Sequence, residues 1–242
     1  MTHLILGHRG EVGSALLKLF VSSAKEKVMG VDFKSPETLS NIKESFDVVH
    51  VCIPYGKDFI SEVTQYSGKA KLTIIHSTVP IGTSRSLGAV HSPIRGVHPN
   101  LFTSLQVFTK FFGGEYADLA AQIFREHGIK TVCVPDPEQT EAMKLWETEQ
   151  YRRFILLSKE IWLWCKEHRV DFDLVYTKAN ETYNEGYHLM GMDHVARPVL
   201  RYVAGPIGGH CVEANHKLLF PPENGELKAW RERFEKELEI LL

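Results

Sequence analysis

Short runs of apolar, largely β-branched residues alternate with helical spacing through the first third of the 242-residue chain, and few folds accommodate that alternation. His3 to Leu6, Lys27 to Val31, Val48 to Ile53 and Leu72 to His76 read as strands. Between the first two, Gly13 to Ser22 carries the helical spacing of Val12, Leu16, Leu17 and Phe20. Strands without a polar face belong in a parallel sheet covered on both sides by helices. Thr131 to Val134, stopped by Pro135, adds a late strand. The expected class is α/β, with a doubly wound Rossmann-type parallel sheet over residues 1–137.

The pattern changes near Glu138. From there to about His168 neither glycine nor proline interrupts one long helix. Residues 170–203 read as helical but broken, and Leu227, Trp230, Phe234, Leu238 and Leu241 recur at helical steps near the C-terminus. Residues 138–242 are therefore expected to form a mostly α-helical domain around a long central helix. Its stretch from Phe154 to Trp164 is apolar nearly all round, and such a helix must be covered on every side. A second copy packed along it would do so, which predicts a homodimer.

A net charge of -2 with scattered basic residues gives no electrostatic case for nucleic acid or an acidic membrane as partner. No run approaches a membrane span, and the chain enters a strand without a signal-type segment. Of the four cysteines, Cys52, Cys133 and Cys165 sit in apolar runs without CxxC pairing, as reduced thiols do. The expected location is the cytoplasm.

Gly7-His8-Arg9-Gly10-Glu11-Val12-Gly13 follows the first strand and opens the first helix, the context of a dinucleotide cradle. Glycine is needed where the chain turns, where it nears a pyrophosphate and where helix packs on strand. Helical N–H groups from Glu11 onward would face the phosphates, and Arg9 could add charge. Asp32 ends the second strand about 20 residues on, where a carboxylate accepts from a ribose hydroxyl and repels a 2′-phosphate. The expected cofactor is NAD.

Near the other end, Gly205-Pro206-Ile207-Gly208-Gly209-His210-Cys211 places a thiol directly after a glycine-rich turn. Backbone N–H groups there can approach a ligand, and the thiol can act as a nucleophile. A Cys211, His210 and His216 metal site is disfavoured, since adjacent ligands suit tetrahedral geometry poorly. No metal is expected.

Four further stretches fall in order: Asp47 to Pro54, Ser77-Thr78-Val79-Pro80-Ile81-Gly82-Thr83, Glu141-Ala142-Met143-Lys144-Leu145, and Gly208-Gly209-His210-Cys211. With them the chain resembles the UDP-glucose/GDP-mannose dehydrogenase family of nucleotide-sugar 6-dehydrogenases. The resemblance implies oxidation of a primary alcohol to a carboxylate with two NAD, through a thiohemiacetal and a thioester on Cys211. It implies Lys144 as the active-site lysine, Thr78 beside the nicotinamide, and Ile53, Pro54, Tyr55 and Ser77 among the cofactor contacts. Expected substrate contacts are Asn100, Gly208, Gly209, His210, Tyr183 and Asn184.

The chain departs from the family at three of these places. Asn100 stands where the family has glutamate, Thr148 where it has asparagine and Asn215 where it has aspartate. Amides do not serve as general bases near neutral pH, and Glu141, Glu147 and His210 are the nearby alternatives. Thr148 and Asn215 stay in the expected catalytic set. The family's further α/β domain beyond the cysteine loop has no counterpart in this sequence, so a shortened form is expected. Two other readings stay open: a two-electron hydroxyacid-type dehydrogenase using Lys144, and a non-catalytic NAD-binding module.

Overall fold

A computed structural model describes residues 1–32, 44–205, 207 and 209–221. The expected C-terminal helix from Leu227 to Leu241, and Gly208, lie outside the described residues. The chain divides into two compact units, Met1–Lys144 and Leu145–Leu242.

The first unit is a seven-stranded sheet with helices on both faces. Its elements are β1 (Thr2–Leu6), α1 (Glu11–Val21), β2 (Lys27–Val31), β3 (Phe46–Val51), α2 (Phe59–Ser67), β4 (Ala70–Ile75), α3 (Thr83–Ser86) and β5 (Val90–His91), then α4 (Leu101–Val107), β6 (Lys110–Gly113), α5 (Ala117–Arg125) and β7 (Thr131–Val134). The strand order is β2-β1-β3-β4-β5-β6-β7, so the direction of winding reverses between β1 and β3. The Rossmann-type α/β reading holds, with one addition. β6 pairs antiparallel with β5, joining them at His91 and Gly113, and β7 runs parallel to β6.

Alternate residues of each strand face opposite layers. Ile5, Val48 and Ile74 pack with Leu16 and Phe20 of α1 and Phe124 of α5. Leu4, Leu6, Val49 and Ile75 pack with Phe59, Val63 and Tyr66 of α2. Fully burying a side chain of this size contributes about 1.5–3 kcal/mol, so the two layers hold the sheet from both sides. His3, His50 and His76 share the face of the first layer and are buried there against Phe20 and Phe124.

A single helix, α6 (Pro137–His168), leaves the sheet and continues through the unit boundary. In the second unit it is followed by a π-helical segment (Asp173–Lys178), α7 (Ala179–Leu189), a 3-10 turn (Asp193–Val195) and α8 (His210–Leu219). The irregular stretch before α8 is fastened by its backbone. Ser158 donates to the Leu200 carbonyl at 3.1 Å, Lys159 donates to the carbonyls of Val203 and Gly205, and Trp162 stacks on Tyr202 at 4.2 Å. Leu157, Leu163 and Trp164 remain about half exposed on α6. Among the described residues no helix is long and apolar enough to cross a membrane.

Candidate functional site

The winding reversal leaves a crevice beyond the carboxyl ends of β1 and β3, where open α/β sheets bind ligands. The glycine turn lies at that place. Gly7 has φ 80°, donates to the Val31 carbonyl at 2.7 Å, and would put a Cβ 2.8 Å from the Cys52 carbonyl oxygen. Gly13 packs α1 onto the turn so closely that its Cβ would lie 2.2 Å from the Gly7 oxygen. Gly10 is the N-cap of α1 and supplies no side-chain cap, so the first-turn N–H groups of Glu11 and Val12 point out of the helix end. Arg9 is exposed beside them.

Asp32 directly follows β2, one strand from Gly7, because Leu6 and Val31 are register partners. His8 folds back over β2, and a Cβ on Gly30 would lie 2.3 Å from its ring. Sequence reasoning did not single out Gly30, since the need for it comes from a neighbouring strand. Ile53 is buried while Pro54 and Tyr55 are exposed at the mouth. Ser77 donates to the Ile53 carbonyl at 2.5 Å, tying the end of β4 to the end of β3, with Thr78 half-buried beside it. His98 contacts Glu11 across the α1 terminus.

Glu141 is fully buried, and its carboxylate accepts from the backbone N–H groups of Gly82 at 2.6 Å and Ser84 at 2.8 Å. Burial raises its pKa despite those bonds. Both carboxylate oxygens therefore hold the loop from Ser77 to Thr83 against α6, an anchoring role and not that of a base. His91 is held between Thr140 Oγ1 at 2.8 Å and the Ser77 carbonyl at 3.1 Å, and burial lowers its pKa to about 3. Lys144, one turn beyond Glu141, donates to the Ile94 carbonyl at 2.8 Å. Asn100 is the exposed N-cap residue of α4, and its carbonyl accepts from Ser104.

In the second unit Cys211 is half-buried in the first turn of α8, behind the exposed Gly209 N-cap. The side chain of His210 lies outside the described residues. One turn on, Asn215 is buried and donates to Thr148 Oγ1 at 3.1 Å, so two of the family departures meet in one hydrogen bond. Beside them the buried Glu149 receives Arg153 at 2.9 Å and His216 at 2.8 Å. Burial opposes its charge, but those partners hold the carboxyl below its ordinary range. Sequence reasoning missed Glu149; its signal is a carboxylate inside a helix whose partner, His216, lies a similar spacing beyond Cys211.

Tyr183 is half exposed under the Arg197 guanidinium, 4.0 Å from its ring centre. Asn184 uses both ends of its amide on the Arg197 backbone, donating at 2.8 Å and accepting at 2.7 Å. The four cysteines form no disulfide. Among the described residues no cluster could hold a metal ion.

No protein-family model and no curated protein matches the chain. Solved structures do resemble it. A UDP-D-ManNAc dehydrogenase from Pyrococcus horikoshii aligns at TM-score 0.76 and 20% identity, over 93% of this chain and 65% of that one. A UDP-glucose dehydrogenase from Pyrobaculum islandicum aligns at TM-score 0.69 and 16% identity, over 94% and 64%. A 3-hydroxyisobutyrate dehydrogenase from Mycobacterium tuberculosis aligns at TM-score 0.54 and 19% identity, over 70% and 66%. The chain thus spans about two thirds of the length of these dehydrogenases, and at such identities the likeness is one of fold.

Proposed function

We propose that the chain is an NAD-dependent dehydrogenase acting on a primary alcohol or aldehyde of a sugar-like substrate. The observation that carries this reading is the glycine turn at the winding reversal. An α1 terminus without a side-chain cap, the close approach allowed by Gly7 and Gly13, and Asp32 on the adjacent strand together fit a dinucleotide. Bound there, NAD would accept the hydride in each oxidation.

The residues of the chain do the rest. Lys144 holds positive charge against the developing alkoxide, and the Ile94 carbonyl fixes its direction. Cys211 adds to the aldehyde, giving a thiohemiacetal that becomes a thioester after the second oxidation and is released as acid by water. The fold likeness to two nucleotide-sugar dehydrogenases supports this reading, as does the order of the four sequence stretches. A homodimer along α6 belongs to the same proposal, since Leu157, Leu163 and Trp164 need cover.

The fold likeness to a hydroxyisobutyrate dehydrogenase favours a second reading, in which Lys144 alone serves a two-electron oxidation. Counting NADH per substrate for wild type and Cys211→Ala, over nucleotide sugars, free sugars and hydroxy acids, separates them. Two NADH, with acid formation lost in the variant, is the expected result. One NADH with an unchanged variant transfers the chemistry to Lys144. Binding of NAD without turnover makes the protein a cofactor-binding module.

A further inference from the structure

Three buried imidazoles cross the sheet of the first unit in line. His3 Nδ1 lies 3.0 Å from His50 Nε2, and His50 Nδ1 lies 3.0 Å from His76 Nε2. At the carboxyl edge of the sheet, His76 Nδ1 is 2.8 Å from the Ser92 carbonyl oxygen and 3.3 Å from Lys110 Nζ. Lys110 is itself buried and donates to the Ser92 carbonyl at 2.9 Å. At the other end His3 Nε2 lies 3.7 Å from Glu26, whose carboxylate also meets His127 Nε2 at 3.1 Å. His3 Nε2 and Glu26 Oε2 are buried without a hydrogen-bond partner.

The protons along this line do not come out even. There are four gaps to fill: Glu26 to His3, His3 to His50, His50 to His76, and His76 to Ser92. Three neutral imidazoles bring three N–H groups. The Ser92 carbonyl requires the proton of His76 on Nδ1, which turns every ring to the Nδ1–H form and leaves His3 Nε2 bare. A proton on His3 Nε2 would face the Glu26 carboxylate across the 3.7 Å gap, and placing it there turns every ring the other way. A fourth proton would make a buried imidazolium, and burial holds His50 and His76 well below their ordinary pKa. Lys110 supplies the alternative, because its ammonium can donate to His76 Nδ1 and Ser92 together.

We propose that His3, His50 and His76 form a proton relay through which the buried Lys110 exchanges its proton with Glu26, whose side chain is 8% exposed beside His127 at the far end of the line. Lys110 Nζ gives a proton to His76 Nδ1, and His76 Nε2 gives one to His50 Nδ1. His50 Nε2 then gives one to His3 Nδ1, and His3 Nε2 gives one to Glu26. Each hop breaks one N–H bond and makes one bond to hydrogen, and nothing is oxidised. Lys110 becomes neutral, the rings end in the Nδ1–H form, and the Glu26 carboxyl returns its proton to solvent. The reverse sequence recharges Lys110.

The charges facing the line come from several elements. Glu26 and Asp47 favour charge on His3, while the Met1 ammonium and His127 oppose it. Lys144 of α6 opposes charge on Lys110. Burial is the larger effect and brings Lys110 down to about 7. Lys144 holds the Ile94 carbonyl two residues beyond Ser92, so the relay sets the charge beside Lys144. The relay stands whether or not the oxidation proposed above does.

Histidine 15N NMR of the full chain from about pH 5.5 to about 8.5 tests it, because tautomers and protonation are read at each ring nitrogen. In the wild type all three rings are expected to pass from Nε2–H to Nδ1–H at one shared midpoint near neutrality. Lys110→Met is expected to hold all three in the Nδ1–H form throughout. Fixed tautomers in the wild type, separate midpoints, or a switch that survives Lys110→Met would overturn the relay. The wild-type titration decides the matter alone if the variant does not fold.

Discussion

Gly13 leaves no room for a side chain: its Cβ would stand 2.2 Å from the Gly7 oxygen. Gly13→Ala must push α1 off the strand, at a cost of roughly 1–3 kcal/mol. Urea unfolding should show that loss, and NAD affinity should fall with it, since the same contact places the helix end. Such a glycine is legible in sequence because its reason lies within a few residues. Gly30 and Lys110 were not legible, because what constrains them is the His8 ring on one side and the Ser92 carbonyl on the other. Asn215 is intermediate: the motif marks the position, and only the fold joins it to Thr148. Asn215→Asp keeps that bond, with Thr148 now donating. If Cys211 carries the acid-forming step, the variant should raise its rate, read as acid released per NADH in single-turnover assays.

At the scale of elements, the Glu141 carboxylate holds the start of α3 through Gly82 and Ser84, while Arg85 of α3 is bonded to Asp136 and Glu138. Glu141→Ala leaves the N–H groups of Gly82 and Ser84 without their acceptor, and each such loss costs about 1–3 kcal/mol. Thermal unfolding of the variant should show a lowered midpoint and faster amide exchange confined first to residues 82–86. The strands β1 to β4 and β7 were readable as continuous apolar, largely β-branched runs, and the helices α1 and α6 from their apolar spacing and unbroken length. β5 has only Val90 and His91, and β6 is a lysine followed by two phenylalanines and a glycine. A two-residue strand, and a run with no β-branched residue, give no strand signal, and their antiparallel pairing is fixed by partners far off in sequence. The irregular stretch before α8 was read as part of a broken helix, because Tyr176, Ser158 and Lys159 fasten it through backbone carbonyls that any sequence supplies.

For the whole molecule, the buried histidines and Lys110 set how stability varies with pH. Burial holds His50, His76 and His91 below the ordinary value of 6.5, so the unfolded chain binds protons that the folded chain does not. Their contribution is complete above that value and is lost as pH falls through it, at up to about 1.4 kcal/mol per pH unit for each histidine. Lys110 acts in the same direction in another window. Burial brings it from 10.5 to about 7, so stability also rises between those values, and Lys110→Met should flatten that part of the curve. Urea midpoints across both windows check the two slopes separately. One consequence of the rings over His50 concerns isotopes and not charge. Sealed under Phe20 and Phe124, the imidazole hydrogens of this line can leave only at its two ends or when the layer opens. A protein equilibrated in heavy water and returned to light water should lose that deuterium stepwise through Glu26, whereas Lys110→Met, which stops the relay, should keep it until the sheet's interior opens.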